Sequence, residues 1–250
     1  MKSVLITGGA ARIGKALSKF FATNGWKVHV HYNSSEKSAI RLQKYINEKN
    51  GEIRIIKCDL GNIDEIKEKF LPVFLDEKID LLINNASIFE YDSPDSMETE
   101  IFLKSMRVNI LAPTKISEIY YNSTLDQPKD KCIINILDNK VFSLNPDFYS
   151  YTLAKSALLS ATKMQAMSFA PSMRVCGIAP SVTLPSGAQT QTDFQISHPL
   201  TLTRKGCSPE DICKGAYYIA NNPIYNGQVL VLDGGQSLTN LSRDVAFLDE

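Results

Sequence analysis

Tyr151 and Lys155 stand four residues apart in Tyr151-Thr152-Leu153-Ala154-Lys155. They open a run to Ala170 that has no Gly or Pro and is rich in Ala, Leu and Met. Such a run favours helix, and i, i+4 spacing then puts the phenol and the ammonium on one face. A tyrosine hydroxyl ordinarily ionises near pH about 10. A cation one turn away favours the phenolate and makes the group a usable proton donor or acceptor closer to neutrality. A Tyr and a Lys at this spacing also meet by coincidence on surface helices, so the pair needs company elsewhere in the chain to define a site.

That company begins at residue 7. The apolar run Ser3–Ile6 enters Thr7-Gly8-Gly9-Ala10-Ala11-Arg12-Ile13-Gly14, and a helical stretch, Lys15–Thr23, follows. Glycines between a first strand and a first helix let the backbone turn sharply and let a phosphate approach the unpaired N–H groups of the helix start. The pattern therefore points to a dinucleotide. Dinucleotides without a 2′-phosphate are usually held by an acid about 20 residues on, at the end of the second strand. Here that place reads His31-Tyr32-Asn33-Ser34-Ser35, with no acid before Glu36. A carboxylate there would repel a 2′-phosphate, whereas Asn and Ser can donate to one and Arg12 adds positive charge. NADP(H) is expected over NAD(H), with Gly8, Arg12, Ile13, Gly14, Tyr32, Asn33, Ser34 and Ser35 in contact with it. Asp59 and Leu60 follow the third candidate strand, and Asn85, Ala86 and Ser87 follow the fourth; both turns belong to the same site by position.

The elements that must position these residues alternate regularly. Candidate strands are Ser3–Ile6, Lys27–His31, Ile53–Lys57, Asp80–Ile83, Cys132–Leu137, Arg174–Ile178 and Gln228–Leu232, with helix-length segments between them. This is the pattern of an α/β, doubly wound parallel sheet covered on both faces. Asn62-Ile63-Asp64-Glu65 and Ser208-Pro209-Glu210-Asp211 read as helix starts. No linker, repeat or charge block divides residues 1–250, so a single domain is expected. The least regular stretch, Ser181–Cys207, is expected to cover the substrate, with Leu184, Phe194, Ile196 and Leu200 as an apolar wall and His198-Pro199 shaping the exit. His29 is expected to pack within its strand.

Composition removes other classes. With 27 basic and 27 acidic residues, the balance argues against nucleic acid or a membrane surface as partner. Five cysteines without a C-x-x-C pair, and three scattered histidines, suggest neither a disulfide framework nor a metal site. The N-terminal apolar run stops at Gly8, too short for a signal peptide or a membrane span. A cytoplasmic protein in a reducing compartment is expected.

Taken in order, Thr7-Gly8…Gly14, Asn84-Asn85-Ala86, Asn109 within Arg107-Val108-Asn109-Ile110, Tyr151…Lys155, Ala179-Pro180 and Leu232-Asp233-Gly234-Gly235 resemble the short-chain dehydrogenase/reductase family over nearly the whole chain. The resemblance implies a Rossmann-like seven-stranded sheet and a homotetramer. It also implies a catalytic set in which Asn109 holds a relay water near Lys155 and Lys155 binds the nicotinamide ribose, with Pro180 beside the cofactor. The family usually places a substrate-binding serine after the fifth strand. This chain has Asp138 there, which resembles the pteridine reductase branch, where aspartate, tyrosine and lysine act together. Arg12-Ile13-Gly14, His31-Tyr32 and Phe89 in Asn85-Ala86-Ser87-Ile88-Phe89 resemble that branch too. Phe89 would stack a flat pterin against the nicotinamide, with Ser87, Asp138 and Tyr151 also touching substrate. A carboxyl group beside a tyrosine can relay the proton that a ring nitrogen takes up as hydride arrives; a serine is a poorer acid. The expected activity is NADPH-dependent reduction of a dihydropterin or dihydrofolate. Two other readings compete: a carbonyl reductase such as a 3-oxoacyl-thioester reductase, and an NADP-binding protein without turnover.

Overall fold

The computed structural model describes residues 1–126, 130–185 and 190–247. Its strands are β1 (Ser3–Ile6), β2 (Lys27–Tyr32), β3 (Ile53–Lys57), β4 (Leu81–Asn84), β5 (Lys131–Ile136), β6 (Met173–Pro180) and β7 (Val229–Leu232). All pair in parallel, in the order β3-β2-β1-β4-β5-β6-β7. Each strand lies within two residues of its expected bounds. The order reverses between β1 and β4, which opens a crevice beyond the carboxyl ends of those strands.

The helices are α1 (Arg12–Thr23), α2 (Glu36–Asn47), α3 (Ile63–Asp76), α4 (Thr99–Met106), α5 (Ala112–Ser123), α6 (Tyr149–Phe169), α7 (Gln191–Ser197) and α8 (Pro209–Ala220). One face of the sheet packs Val4, Ile6, Val28, Val30 and Ile178 against Leu17 and Phe21 of α1, Leu42 of α2 and Ile212 of α8. The other packs Leu5, Leu82, Ile133 and Val175 against Phe70 and Phe74 of α3, Ile116 and Tyr120 of α5, and Ala166 and Phe169 of α6. Burial on both faces explains why the central strands are nearly unbroken apolar runs. Each fully buried Leu, Ile or Phe adds roughly 1.5–3 kcal/mol.

Local signals fix the ends. Asn62 Oδ1 accepts from the N–H groups of Asp64 and Glu65 to start α3, and Ser208 with Asp211 forms a capping box on α8. Ser181–Cys207 is not wholly irregular, as composition suggested. It contains α7, started by a Thr190–Asp193 capping box that its Ser, Thr and Gln content had masked. Residues 186–189 of that segment lie outside the described residues. Between α4 and α5 the helix widens over Arg107–Leu111, where the Ala112 N–H reaches the Arg107 carbonyl. Pro113 has no N–H to give to the Asn109 carbonyl four residues earlier, and such widened turns recur at functional sites. All five cysteines are free and buried. Among the described residues no helix is long and apolar enough to cross a membrane.

Candidate active site

A cleft of about 1550 Å³ runs along the carboxyl ends of the strands. The motif residues expected to touch cofactor or substrate line it, namely Gly8, Arg12, Ile13, Gly14, Tyr32, Asn33, Ser34, Ser35, Asp59, Leu60, Asn85, Ala86, Ser87, Phe89, Asp138, Tyr151, Lys155 and Pro180. Asn109 is the exception.

The nucleotide half is a glycine turn whose backbone is held by neighbouring strand ends. Gly8 sits at φ +62, and its N–H donates to His31 Nδ1 at 3.0 Å, while Gly9 N–H donates to the His31 carbonyl at 2.9 Å. With Nδ1 accepting, Nε2 carries the proton and donates to the Cys58 carbonyl at 3.0 Å. Burial pulls the His31 pKa down to about 4, so the ring stays neutral and keeps both bonds. Gly14 passes so close to Gly8 that a Cβ would lie 2.1 Å from the Gly8 carbonyl oxygen. Thr7 Oγ1 accepts from the N–H groups of Asn85 (2.9 Å) and Ala86 (3.0 Å), and Asn85 Nδ2 donates to the Thr7 carbonyl at 2.9 Å. Asn85 thus holds the glycine turn with its side chain.

Helix α1 begins against this turn. No side chain caps it and its first turn holds no acid, unlike α3, α7 and α8. Arg12, at φ +48, is exposed at the cleft and forms no ion pair with a described residue. A close glycine cradle and an uncapped helix start fit a dinucleotide pyrophosphate, and the unpaired Arg12 suits a further phosphate beside it. At the far end of this half, Asp59 Oδ1 accepts from Gly61 N–H (2.9 Å) and Asn33 Nδ2 (3.3 Å), so part of its capacity is spent on its own turn. Tyr32 Oη donates to Glu36 at 3.4 Å.

The other half holds the proton chemistry. Tyr151 Oη donates to Asp138 Oδ2 at 2.7 Å, and Lys140 N–H donates to Asp138 Oδ1 at 2.9 Å. Lys155 Nζ donates to the Ile136 carbonyl at 2.7 Å and lies 5.6 Å from the Tyr151 ring centre. Burial dominates all three groups. It raises the Asp138 carboxyl against the pull of the Lys140 N–H, Tyr151 and the two lysines. It brings the Lys155 ammonium down to about 8, against the attraction of Asp138. Tyr151 goes well above its ordinary value through burial, the Asp138 charge and the hydrogen bond to it. The expectation that Lys155 makes this phenol more acidic is therefore corrected. The ammonium is directed at a carbonyl, and the tyrosine is held protonated with a carboxylate as its partner.

Asn109 and Phe89 have partners that their spacing did not show. Asn109 is buried behind the cleft, where Oδ1 accepts from Ser87 Oγ and Ile88 N–H and Nδ2 donates to the Ile88 carbonyl, each at 3.0 Å. Its side chain positions the Ser87–Ile88 turn. Phe89 lines the cleft but is not a lone platform: Phe148 stacks on it at 3.9 Å and 21°, and Tyr151 meets it edge-on at 4.7 Å. Of the expected apolar wall, Leu184 lines the cleft, while Ile196 and Leu200 are exposed to solvent. His198 Nε2 lies 3.0 Å from the Cys207 carbonyl and closes its own loop.

Sequence reasoning assigned no site role to Thr7, Asp92, Lys140, Asp147, Phe148, Arg243, Asp244 or Phe247. Asp92 accepts from Ser150 N–H at 2.9 Å and from Ser150 Oγ, directly before Tyr151. The density of aromatics in Phe148-Tyr149-Ser150-Tyr151 could have drawn attention to Phe148. Nothing local marks the residues near the C-terminus.

An uncapped first helix on a glycine turn, joined across one cleft to a Tyr-Lys pair, defines a nicotinamide-dependent oxidoreductase of the doubly wound class. The chain belongs to the short-chain dehydrogenase family, whose model matches residues 2–195. Among solved structures it is similar to the FolM alternative dihydrofolate reductase 1 of Brucella canis complexed with NADP, at 32% identity and TM-score 0.86, covering 95% of this chain and 94% of that one. The corresponding Brucella suis protein, also solved with NADP, gives 33% and 0.84, covering 95% of each chain. A 3-oxoacyl-[acyl-carrier-protein] reductase of Synechocystis is 27% identical over 237 residues, which is 92% of this chain and 95% of the relative.

Proposed function

We propose that this oxidoreductase reduces a pteridine, a dihydropterin or dihydrofolate, with NADPH. The observation that carries the reading is the 2.7 Å hydrogen bond from Tyr151 Oη to Asp138, a carboxyl group where a carbonyl reductase of this family would hold serine. The likeness to the two Brucella reductases supports it.

Gly8, Ile13 and Gly14 would hold the pyrophosphate, and Arg12 with Asn33, Ser34 and Ser35 would take the 2′-phosphate beyond the end of β2. Lys155 and Pro180 line the cleft where the nicotinamide end would lie. When bound there, NADPH would supply a hydride to a ring carbon. Tyr151 Oη then gives its proton to the adjacent ring nitrogen. Asp138, its pKa raised by burial, would then take up a proton from water and pass it to the phenolate across the same contact, which restores the tyrosine hydroxyl and the carboxylate. Lys155, held by the Ile136 carbonyl, would anchor the nicotinamide ribose.

Loss of NADPH absorbance with dihydrobiopterin, dihydromonapterin, dihydrofolate and an acetoacetyl thioester tests this. Turnover is expected with at least one pteridine and little with NADH. Tyr151→Phe and Asp138→Asn should each lower kcat/KM about 100-fold or more, the scale of a lost general acid. Wild-type turnover in both variants, or activity confined to the thioester, would reject the pteridine reading.

A further inference from the structure

One wall of the substrate half comes from a segment that no motif announces. Residues 239–247 return across the cleft after β7, and two ion pairs fasten them there. Lys140 Nζ donates to Asp244 Oδ2 at 2.8 Å and to Asn145 Oδ1 at 2.7 Å, and the two charged side chains are only 8% and 14% exposed. Arg243 Nε donates to both carboxylate oxygens of Asp147, at 3.1 and 2.9 Å, and Asp244 N–H adds a third bond to Asp147 at 2.7 Å. Asp147 is buried. The Lys140–Asp244 pair is withdrawn from water on both sides, and losing Arg243 would strand the buried Asp147 carboxylate, so either pair is costly to break. A tail with no role in the cleft needs no such fastening.

The pairs hold Phe247 in place. Its ring lies 6.0 Å from Phe148 at 24° and 5.3 Å from Tyr91 at 69°. Phe89, Phe148 and Phe247 therefore make a ladder of nearly parallel rings whose first member touches the Tyr151 ring. On its other side the Val245–Phe247 turn packs against α7, so the strap joins both banks of the cleft. Lys140 links this wall to the chemistry. Its N–H holds Asp138 Oδ1 while its ammonium holds the strap, so the placement of the carboxyl group and that of the wall are set by one residue.

We propose that Lys140 and the strap it fastens, residues 239–247, determine the class of substrate. They give the cleft a fixed aromatic wall that admits a flat ring beside Asp138 and turns away bulkier aliphatic bodies. Lys140 is the positioning residue and Phe247 the specificity-determining one. The identity of the flat ring rests on the pteridine reading; the wall does not.

The full-length chain carrying Asp244→Asn, Phe247→Ala, Lys140→Met or Lys140→Arg tests the proposal. Two readouts are needed: hydrogen exchange over residues 239–247, and kcat/KM for a dihydropterin, an acetoacetyl thioester and a steroid ketone. Asp244→Asn and Lys140→Met should speed exchange in the strap at least ten-fold, and Lys140→Arg should restore protection. Asp244→Asn and Phe247→Ala should raise the KM for the flat substrate at least five-fold, shift selectivity toward the bulkier ones, and leave the KM for NADPH within two-fold. Unchanged exchange, together with unchanged selectivity between any two accepted substrates of different bulk, would overturn the strap. A wild-type enzyme that reduces no dihydropterin would instead reject the pteridine reading, and the exchange and selectivity ratios would still judge the strap.

Discussion

The two halves of the cleft are held by different kinds of bond. In the nucleotide half, a backbone N–H supplies the donor in each contact: Gly8 to the His31 ring, Gly9 to the His31 carbonyl, and Asn85 and Ala86 to the Thr7 hydroxyl. The sheet register delivers these contacts, and only glycine fits at the closest approach. In the substrate half, side chains hold side chains across long stretches of sequence. Ser150 meets Asp92 58 residues away, Arg243 meets Asp147 across 96, and Lys140 meets Asp244 across 104. A half whose contacts depend on backbone groups leaves little room for substitution. A half built from side-chain pairs can be rebuilt pair by pair, which is where the proposed strap would set substrate choice.

The sharpest way to break this contrast is Gly14→Ala. The new methyl would sit 2.1 Å from the Gly8 carbonyl oxygen and 2.7 Å from Asn85 Nδ2, and the first of these is backbone that cannot swing aside. The glycine turn must move away from the start of α1. NADPH affinity should fall by at least about 100-fold, roughly 2.7 kcal/mol, read by titration calorimetry. Binding within a few-fold of wild type would show that the nucleotide half is less rigid than its geometry demands.

Asp92→Ala probes the other half with a smaller effect. Helix α6 starts after Phe148, which has no side-chain oxygen to cap it and sits at φ +55. Asp92 caps the helix from a distant loop instead. Its carboxylate accepts from Ser150, and its carbonyl accepts from Tyr149 N–H at 3.2 Å. Losing a cap costs about 0.5–2 kcal/mol. Here the loosened turn carries Tyr151, so kcat should fall about ten-fold while NADPH affinity is unchanged. Asp92→Asn, which keeps one acceptor oxygen, should fall between. A parallel loss of NADPH affinity would mean that the halves are not independent.

What was legible in the sequence follows the same division. The strands could be read to within two residues because a sheet covered on both faces demands nearly unbroken apolar runs such as Val4-Leu5-Ile6 and Ile133-Ile134. The glycine turn could be read because its constraint is local. Asn109 was located, but spacing cannot say that its side chain would be spent on Ser87 and Ile88. Phe89 was located, but its stacking partner Phe148 arrives from a distant turn. The direction of the Tyr151 pKa was missed because residue types reveal the nearby charges and not the burial that outweighs them. The strap was illegible because Arg243, Asp244 and Phe247 form no pattern until the fold brings Lys140 and Asp147 to them.

The smallest effect expected distinguishes two histidines on one strand. His31 uses both ring nitrogens, on Gly8 and Cys58, whereas His29 is equally buried and neither of its nitrogens has a hydrogen-bond partner among the described residues. Burial brings each down from 6.5 to about 4, with Lys27 and Arg54 helping and Glu77 opposing at His29. The unfolded chain therefore takes up these protons first. Stability should be flat above pH about 7, fall as the pH drops through 6.5, and stop falling from this source below about 4; at pH 5 each histidine accounts for about 2 kcal/mol. His29→Phe removes the titrating ring and no hydrogen bond, so it should leave NADPH binding unchanged at pH 7 and flatten about half of the acid slope in urea unfolding. His31→Phe should flatten a similar share but also weaken NADPH binding, because Gly8 loses its acceptor. Equal effects of the two variants on NADPH affinity would show that the glycine turn does not depend on the His31 ring, and the backbone account of the nucleotide half would lose its one side-chain support from β2.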